Sequence, residues 1–270
     1  MHRSVRIVVD SDDPHRHTSA VLSRRQLLLA AAVVPAAALI DVNSADARPF
    51  VLADSRVRGW GPVMQIGDST SGGYLNGLRR TLRSKDIGPF RCDIQGARSI
   101  NRVSKRFPSA ISAIRTARAA GFDPPCYLLA LGSNDLWVVK RKKNSAPAMI
   151  DAIMNEIGPD RTVGFLTLYT VHQSSAPKFN AALRDATKHW PNLHIMDWAA
   201  VARRNVRWHN KGGVHYTMKG AIARNRYLAD AMVRTVKIAR SQPPVTTTPT
   251  TSSTTTSSTT TPPTTTATIA

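Results

Sequence analysis

Five short apolar runs alternate with longer amphipathic stretches along the middle of the 270-residue chain. The apolar runs occupy residues 63–66, 91–95, 126–131, 162–168 and 193–197. Stretches with helical spacing of apolar positions occupy residues 74–85, 109–120, 146–157, 176–190 and 218–240. Short strands that are almost wholly apolar are typical of a parallel sheet covered by helices on both faces. The pattern therefore predicts an α/β fold, a three-layer α/β/α sandwich around a five-stranded parallel sheet.

Residues 1–47 have the pattern of an export signal. The paired arginines Arg24 and Arg25 precede an apolar segment, 27–40, and a small-residue cleavage site follows. This order is typical of a twin-arginine (Tat) signal peptide cleaved after residue 47, and it predicts a secreted, extracellular or cell-wall-associated protein. The alternative is a membrane anchor. The 14 residues of the apolar segment fall short of the roughly 20 that a spanning helix needs, and Pro35 interrupts them, so no stable membrane span is expected.

Residues 243–270 consist of Thr, Ser and Pro with a few apolar residues and no charge. Such a segment buries too little apolar surface to offset its ordering entropy, which predicts a disordered tail. An O-glycosylated stalk and an unmodified solvated tail are both open. Residues 48–242 remain, and they have the normal size of one domain with its own core.

The formal net charge of +20 lies on this domain, because residues 1–47 hold five Arg and five acidic residues and the tail holds neither. Such a field attracts polyanions, and an anionic cell-wall polymer is the candidate partner. Nucleic acid is not expected, since no recognition motif accompanies the charge in a chain with an export signal. An enrichment of arginine on a solvated surface without a specific partner is the alternative.

The two cysteines, Cys92 and Cys126, fall in the second and third apolar runs. In the flavodoxin-like strand order 2-1-3-4-5, the first strand separates them. Two strand spacings amount to about 9.6 Å, whereas a disulfide tolerates about 7 Å between Cα atoms. Export permits a disulfide, but free, buried thiols are the prediction.

Small and polar residues follow the apolar runs, at the sheet edge where doubly wound folds bind ligands. The segments are Gly67-Asp68-Ser69, Gln95-Gly96-Ala97-Arg98 and Gly132-Ser133-Asn134-Asp135, and His215 precedes the last amphipathic stretch. A serine in a strand–turn–helix connection lies near unpaired backbone N–H groups. A nucleophile needs a base within hydrogen-bond reach, and the oxyanion that it creates needs preorganised donors.

Ser69, Gly96, Asn134 and His215 resemble, in order and context, the four named residues of the SGNH hydrolase superfamily, the GDSL-type esterases and lipases. The resemblance covers about residues 62–236. It implies a flavodoxin-like SGNH hydrolase fold, with Ser69 as the nucleophile and His215 as the general base. It also implies an oxyanion hole made by the N–H groups of Ser69 and Gly96 and the side-chain amide of Asn134. No metal and no organic cofactor is implied.

One departure from the family concerns the triad acid. The family usually places an aspartate three residues before the histidine, and this chain has Gly212 there. Three interpretations are open: a Ser–His dyad whose ring is oriented by a backbone carbonyl or water, an acid supplied by Asp197 or Asp135, and loss of hydrolysis. The working dyad is favoured.

Candidates for the substrate cleft are Asp68, Arg98, Trp137 and Trp208. Asp68 is favoured as a hydrogen-bonding brace of the serine turn, and core packing is favoured for at least one of the two tryptophans. The basic run 140–143 is expected near the rim of the site, where it could bind an anionic polymer or a substrate phosphate or carboxylate; the alternative is a solvated loop.

The sequence thus predicts an exported serine esterase that hydrolyses acyl esters, acetyl included, of a cell-envelope carbohydrate or lipid through an acyl-serine intermediate. Two alternatives remain open. One is a non-catalytic SGNH domain that binds cell-wall polyanions, and the other is an acyltransferase in which a sugar hydroxyl replaces water.

Overall fold

The structure, a computed structural model, describes residues 49–102 and 107–242. The predicted signal peptide and the predicted tail lie outside the described residues. Within that part of the chain, no helix combines the length and the apolar character that a membrane crossing requires.

The strands form one sheet with the order β1-β3-β2-β4-β5-β6. Their bounds are β1 (Phe50–Asp54), β2 (Val63–Gly67), β3 (Phe90–Ile94), β4 (Cys126–Ala130), β5 (Thr162–Leu166) and β6 (Leu193–Met196). Strands β2 to β6 pair in parallel. These five are the predicted apolar runs, and their order is the predicted flavodoxin-like 2-1-3-4-5.

The predicted strand count was wrong by one, because β1 adds a sixth strand at the sheet edge. It pairs antiparallel with β3 and places Leu52 opposite Cys92. Leu52 alone of its five residues is buried, and Val51 is exposed. Residues 50–53 form an apolar run of four, so the sequence does carry a strand signal here, and the prediction missed it.

Helices cover both faces of the sheet. They are α1 (Leu75–Arg83), α2 (Ala110–Ala119), α3 (Leu136–Arg141), α4 (Ser145–Ile157), α5 (Ala176–Ala186), α6 (Trp198–Arg203) and α7 (Met218–Ser241). The amphipathic stretches correspond to α1, α2, α4, α5 and α7. Helices α3 and α6 were not predicted; each has six residues, too few for a helical repeat to show.

Two apolar cores lie on opposite sides of the sheet. Met64 and Ile66 of β2 pack in the core that α2, α4 and α5 close. The neighbouring Val63 packs in the other core, against α1 and α7. The alternation of side chains along the strand therefore supplies both cores, which gives the predicted three-layer sandwich.

Cys92 and Cys126 are free and buried, as predicted. Strand β2 lies between β3, which carries Cys92, and β4, which carries Cys126. Burial raises the pKa of the Cys126 thiol to about 11 and raises the pKa of Cys92 as well. Both thiols are therefore protonated at neutral pH and unreactive.

Candidate active site

Ser69 begins a single 3₁₀ turn, Ser69–Ser71, directly after β2 and Asp68. One carboxylate oxygen of Asp68 accepts hydrogen bonds from the Thr70 N–H at 2.9 Å and the Thr70 hydroxyl at 2.7 Å. The expected α-helix starts only at Leu75. The serine consequently lies in a capped turn between β2 and α1, in agreement with the predicted strand–turn–helix connection.

The second carboxylate oxygen of Asp68 joins this turn to the segment after β4. It accepts hydrogen bonds from the hydroxyl of Ser133 at 2.7 Å and from its N–H at 3.3 Å. Asp68 has no exposed surface. The residue therefore braces two adjacent segments of the site, and its candidacy for the substrate cleft is not supported.

The structure brings Ser69 and His215 together. His215 Nε2 lies 2.9 Å from Ser69 Oγ across 146 positions of sequence. The loop that carries the histidine is held by its backbone. Asn210 donates its N–H to the His215 carbonyl, and Val171 donates to the carbonyl of Gly213.

Glycine is required in this loop at position 213, where φ is +70° and an added Cβ would lie 2.6 Å from Cδ2 of His172. A side chain there would be strained in conformation and would push apart two loops. The hydrogen bond from Val171 to the Gly213 carbonyl links the histidine loop to the segment after β5.

A buried aromatic cluster supports the other side of the same loop. Trp198 donates its indole N–H to the hydroxyl of Tyr216 at 2.8 Å, and the guanidinium of Arg224 lies 4.8 Å from the Trp198 ring centroid. Trp208 stacks on Trp198 with ring centroids 6.1 Å apart. Trp208 therefore packs against Trp198 beneath the histidine loop, in agreement with the core-packing interpretation. It does not line the cleft described below.

Neither candidate acid reaches His215. Asp197 accepts hydrogen bonds from Thr167 and Arg184 and caps α6. Burial would raise the pKa of Asp197, but these hydrogen bonds lower it. Asp135 accepts the N–H of Ile100.

No carboxylate of the described residues forms a hydrogen bond or ion pair with the His215 side chain. Gly212, in the position of the family's aspartate, is exposed. The ring is thus aligned by its own loop and by the bond to Ser69.

Asn134 lies in a 3₁₀ turn, Ser133–Asp135, that follows β4. Gly132 opens this turn at φ +107°, a conformation that L side chains avoid. The Asn134 amide donates to the carbonyl of Arg98 at 3.0 Å, which joins it to the segment after β3. Among the described residues, the N–H groups of Ser69 and Gly96 have no hydrogen-bond acceptor. The edge therefore offers unpaired donors beside the serine hydroxyl.

The prediction for Arg98 needs correction, because its side chain is completely buried and cannot line a cleft. The guanidinium donates to the Asp93 carboxylate and the Asp93 carbonyl, each at 2.7 Å. It also approaches the carbonyl of Gly67 at 3.4 Å. Arg98 thus ties the ends of β2 and β3 together below the serine turn.

Trp137 does line a cleft with a volume of about 500 Å³, and Asn134 lines it too. The basic run begins on α3 and reaches this cleft through Lys140. Sequence reasoning missed Arg102 and His172, which also line it. A signal was available for His172, since the polar segment after β5 ends at the same edge as the other three segments.

Solved structures provide the comparison. The chain is similar to the C-terminal catalytic domain of peptidoglycan O-acetyltransferase A from Streptococcus pneumoniae, with 18% identity, a TM-score of 0.52, and coverage of 71% of this chain and 97% of that one. It is also similar to a lipolytic G-D-S-L family protein from Veillonella parvula, with 14% identity, a TM-score of 0.48, and coverage of 64% and 96%. A carbohydrate esterase family 3 protein from Talaromyces cellulolyticus gives 14% identity, a TM-score of 0.48, and coverage of 67% and 99%.

The chain has the SGNH hydrolase fold. The sequence itself matches no protein-family model and no curated protein. Three of the four residues that carried the resemblance, Ser69, Gly96 and Asn134, follow strands at one edge of the sheet. The fourth, His215, precedes α7. Two of them, Ser69 and His215, are in hydrogen-bond contact.

Proposed function

We propose that this protein is a serine esterase that hydrolyses acyl esters through an acyl-Ser69 intermediate. The observation that carries the proposal is the 2.9 Å separation between Ser69 Oγ and His215 Nε2. A hydroxyl is a weak nucleophile at neutral pH, and a base within hydrogen-bond reach activates it.

The reaction proceeds in two halves. His215 Nε2 takes the Ser69 proton while Oγ bonds to the ester carbonyl carbon. The tetrahedral intermediate then expels the alcohol, which receives the proton from His215. Water attacks the acyl-serine with His215 again as the base, and the carboxylic acid leaves as Ser69 recovers its proton.

The oxyanion is stabilised by the N–H groups of Ser69 and Gly96 and by the Asn134 amide. Asn134 donates one hydrogen to the Arg98 carbonyl, which holds the amide in place and leaves its second hydrogen for the substrate. Each such donor contributes about 10²–10³ to the rate.

The substrate in this proposal is an acylated carbohydrate or lipid of the cell envelope. The predicted export signal of residues 1–47 supports that location. The similarity to a peptidoglycan O-acetyltransferase domain supports an acetylated envelope glycan in particular.

Hydrolysis of p-nitrophenyl acetate tests the proposal. We expect Ser69→Ala and His215→Gln to reduce kcat/KM by about 10³-fold or more, because each removes a member of the dyad. His189→Gln, an exposed histidine after α5, is the matched control and should retain the wild-type rate. A fluorophosphonate should add to Ser69 in the wild type and to no residue in Ser69→Ala. Equal rates in wild type and Ser69→Ala would contradict the proposal.

Acyl transfer is the second candidate, and the similarity to the same O-acetyltransferase domain favours it. A sugar hydroxyl would replace water in the second half of the reaction. In an assay with added oligosaccharide, transfer releases p-nitrophenol without an equal amount of acetate, and mass spectrometry detects the acetylated sugar. Hydrolysis releases both products in equal amounts at every acceptor concentration.

A further inference from the structure

The cleft beside Asn134 is larger than an acetyl group needs. Its volume of about 500 Å³ lies within the usual range of about 300–1,000 Å³ for ligand pockets. Helix α3 lines the cleft with Trp137 and Lys140, and the segment after β5 lines it with His172. Because the proposed oxyanion donor Asn134 lines the cleft, the cleft can hold what is attached to the reacting ester.

Cations surround the exposed indole of Trp137 in this cleft. The guanidinium groups of Arg102 and Arg141 lie 4.9 Å and 5.6 Å from the ring centroid. Lys140 lines the same cleft. Stacking on an indole restrains a guanidinium group while its N–H edges stay available for bidentate bonds to carboxylate or phosphate.

No carboxylate of residues 49–102 and 107–242 forms an ion pair with these cations. No ion pair is formed there by Arg102, Lys140 or Arg141, and Asp135, which interacts with Arg102 electrostatically, is buried and bound to Ile100. Other arginines of the domain are neutralised by Glu156 or Asp123, namely Arg115, Arg118 and Arg161. The cleft thus keeps a positive charge that a ligand can neutralise.

A second depression of about 400 Å³ continues this surface and shares Lys140 with the cleft. Lys142, Lys143 and Lys178 line it, and all three are exposed. We call the six cations of the two depressions the basic track; they are Arg102, Lys140, Arg141, Lys142, Lys143 and Lys178. A small ester would occupy the cleft alone, whereas an extended polymer would use both depressions.

Resting on the proposed esterase function, we propose that the substrate is an O-acylated anionic polysaccharide that extends from Ser69 past Trp137 along the basic track. Polysaccharide hydroxyls carry the ester, and regularly spaced carboxylates or phosphates of the chain meet the cations. Nucleic acid fits less well, because Trp137 is the one strongly exposed aromatic side chain of the described residues and single strands bind to rows of them.

The test compares kcat/KM on three polymers with equal acetyl content: acetylated polygalacturonate, acetylated dextran phosphate and acetylated dextran. We expect at least one anionic polymer to exceed neutral dextran by about tenfold at 50 mM salt, and the excess to shrink at 500 mM salt through screening. The anion with the larger excess identifies carboxylate or phosphate.

A charge-removal variant locates the effect. Lys140→Gln/Lys142→Gln/Lys143→Gln should reduce the anionic-to-neutral ratio about tenfold, since three exposed charge contacts are lost. The matched control is Arg79→Gln/Arg203→Gln/Arg226→Gln, which removes three exposed charges from α1, α6 and α7. It should keep the wild-type ratio.

The outcomes separate the two proposals. Failure to hydrolyse any ester, p-nitrophenyl acetate included, contradicts the esterase function. Normal hydrolysis with equal rates on anionic and neutral polymers overturns only the polysaccharide inference. So does an equal loss in both triple variants, or tighter binding of single-stranded DNA than of polygalacturonate in a competition assay.

Discussion

At the scale of single residues, the unusual feature of the site is a histidine without an acid. In a serine triad the carboxylate holds the imidazole in one tautomer and stabilises its charged form. Here Gly212 occupies the family's aspartate position, and Asp197 and Asp135 bond elsewhere. The ring is nevertheless within 2.9 Å of Ser69, because its loop is held by backbone hydrogen bonds, one within the loop from Asn210 and one from Val171.

Restoring the carboxylate should therefore increase activity. We expect Gly212→Asp to raise kcat on p-nitrophenyl acetate by about tenfold, since a charge-assisted hydrogen bond to the ring stabilises the imidazolium of the transition state. The site accepts a side chain: the nearest atom to an added Cβ is Asn210 Oδ1 at 3.4 Å. Gly212→Asn has the same size without the charge and should leave kcat unchanged. Equal kcat values for the two variants would show that the carboxylate has no effect here.

Asp135 gives a residue-scale prediction about stability. Burial raises its pKa to about 6, above the unfolded value of about 3.9. The folded state therefore keeps this proton up to a higher pH than the unfolded state does. The stability that the protonated group contributes is present below pH 4 and is lost as pH rises through 6. Asp135→Asn is neutral and can still accept the Ile100 N–H.

We expect the unfolding free energy of Asp135→Asn, relative to that of wild type, to be about 1–2 kcal/mol higher at pH 7.5 than at pH 5. Urea unfolding at the two pH values measures the difference. A gap between variant and wild type that stays constant with pH would mean that Asp135 ionises normally in the folded protein.

At the scale of elements, the connection after β3 depends on a buried arginine. Ala97 has φ +55°, a left-handed conformation that costs a non-glycine residue about 1–2 kcal/mol. The bonds of Arg98 to Asp93 and Gly67 hold this strained turn, and the Arg98 carbonyl in turn holds Asn134. The sequence placed Arg98 at the functional edge but could not show which way its side chain points, since the same chain position suits a cleft and a buried clamp.

Removing this guanidinium should destabilise the domain strongly. We expect Arg98→Met to cost about 3–5 kcal/mol, because it leaves the buried Asp93 carboxylate with only the longer, 3.6 Å ion pair to Arg91. Arg115→Met also breaks a 2.7 Å ion pair, to Glu156, but that arginine is exposed, so its loss should cost far less than the loss of Arg98. Urea unfolding of both variants at pH 7 makes the comparison. Similar losses in the two would mean that the Arg98 pair does not hold the strand ends.

At the scale of the whole molecule, the sequence was most informative where burial is two-sided. The central strands appear as apolar runs because both faces are covered, and their parallel order then places every following segment at one edge. This is why Ser69, Asn134 and His215 were found without coordinates. The six-residue helices and the position of His172 in the cleft depend on long-range packing, which leaves little local pattern, whereas the apolar run 50–53 of β1 was a local signal that the prediction missed.

The export signal is a whole-molecule prediction that concerns residues 1–47. Tat signals are read by a receptor that recognises paired arginines, and lysine preserves the charge while losing the planar, five-donor guanidinium. We expect Arg24→Lys/Arg25→Lys to leave the protein in the cytoplasm with its signal uncleaved. Arg3→Lys/Arg6→Lys makes the same chemical change in the same segment and should be exported and processed normally. Immunoblots of cytoplasmic and extracellular fractions measure both variants. Normal export of the Arg24/Arg25 variant would assign the segment to another export route and remove the twin-arginine interpretation, while the proposals for the site, which rest on residues 49–242, would stand.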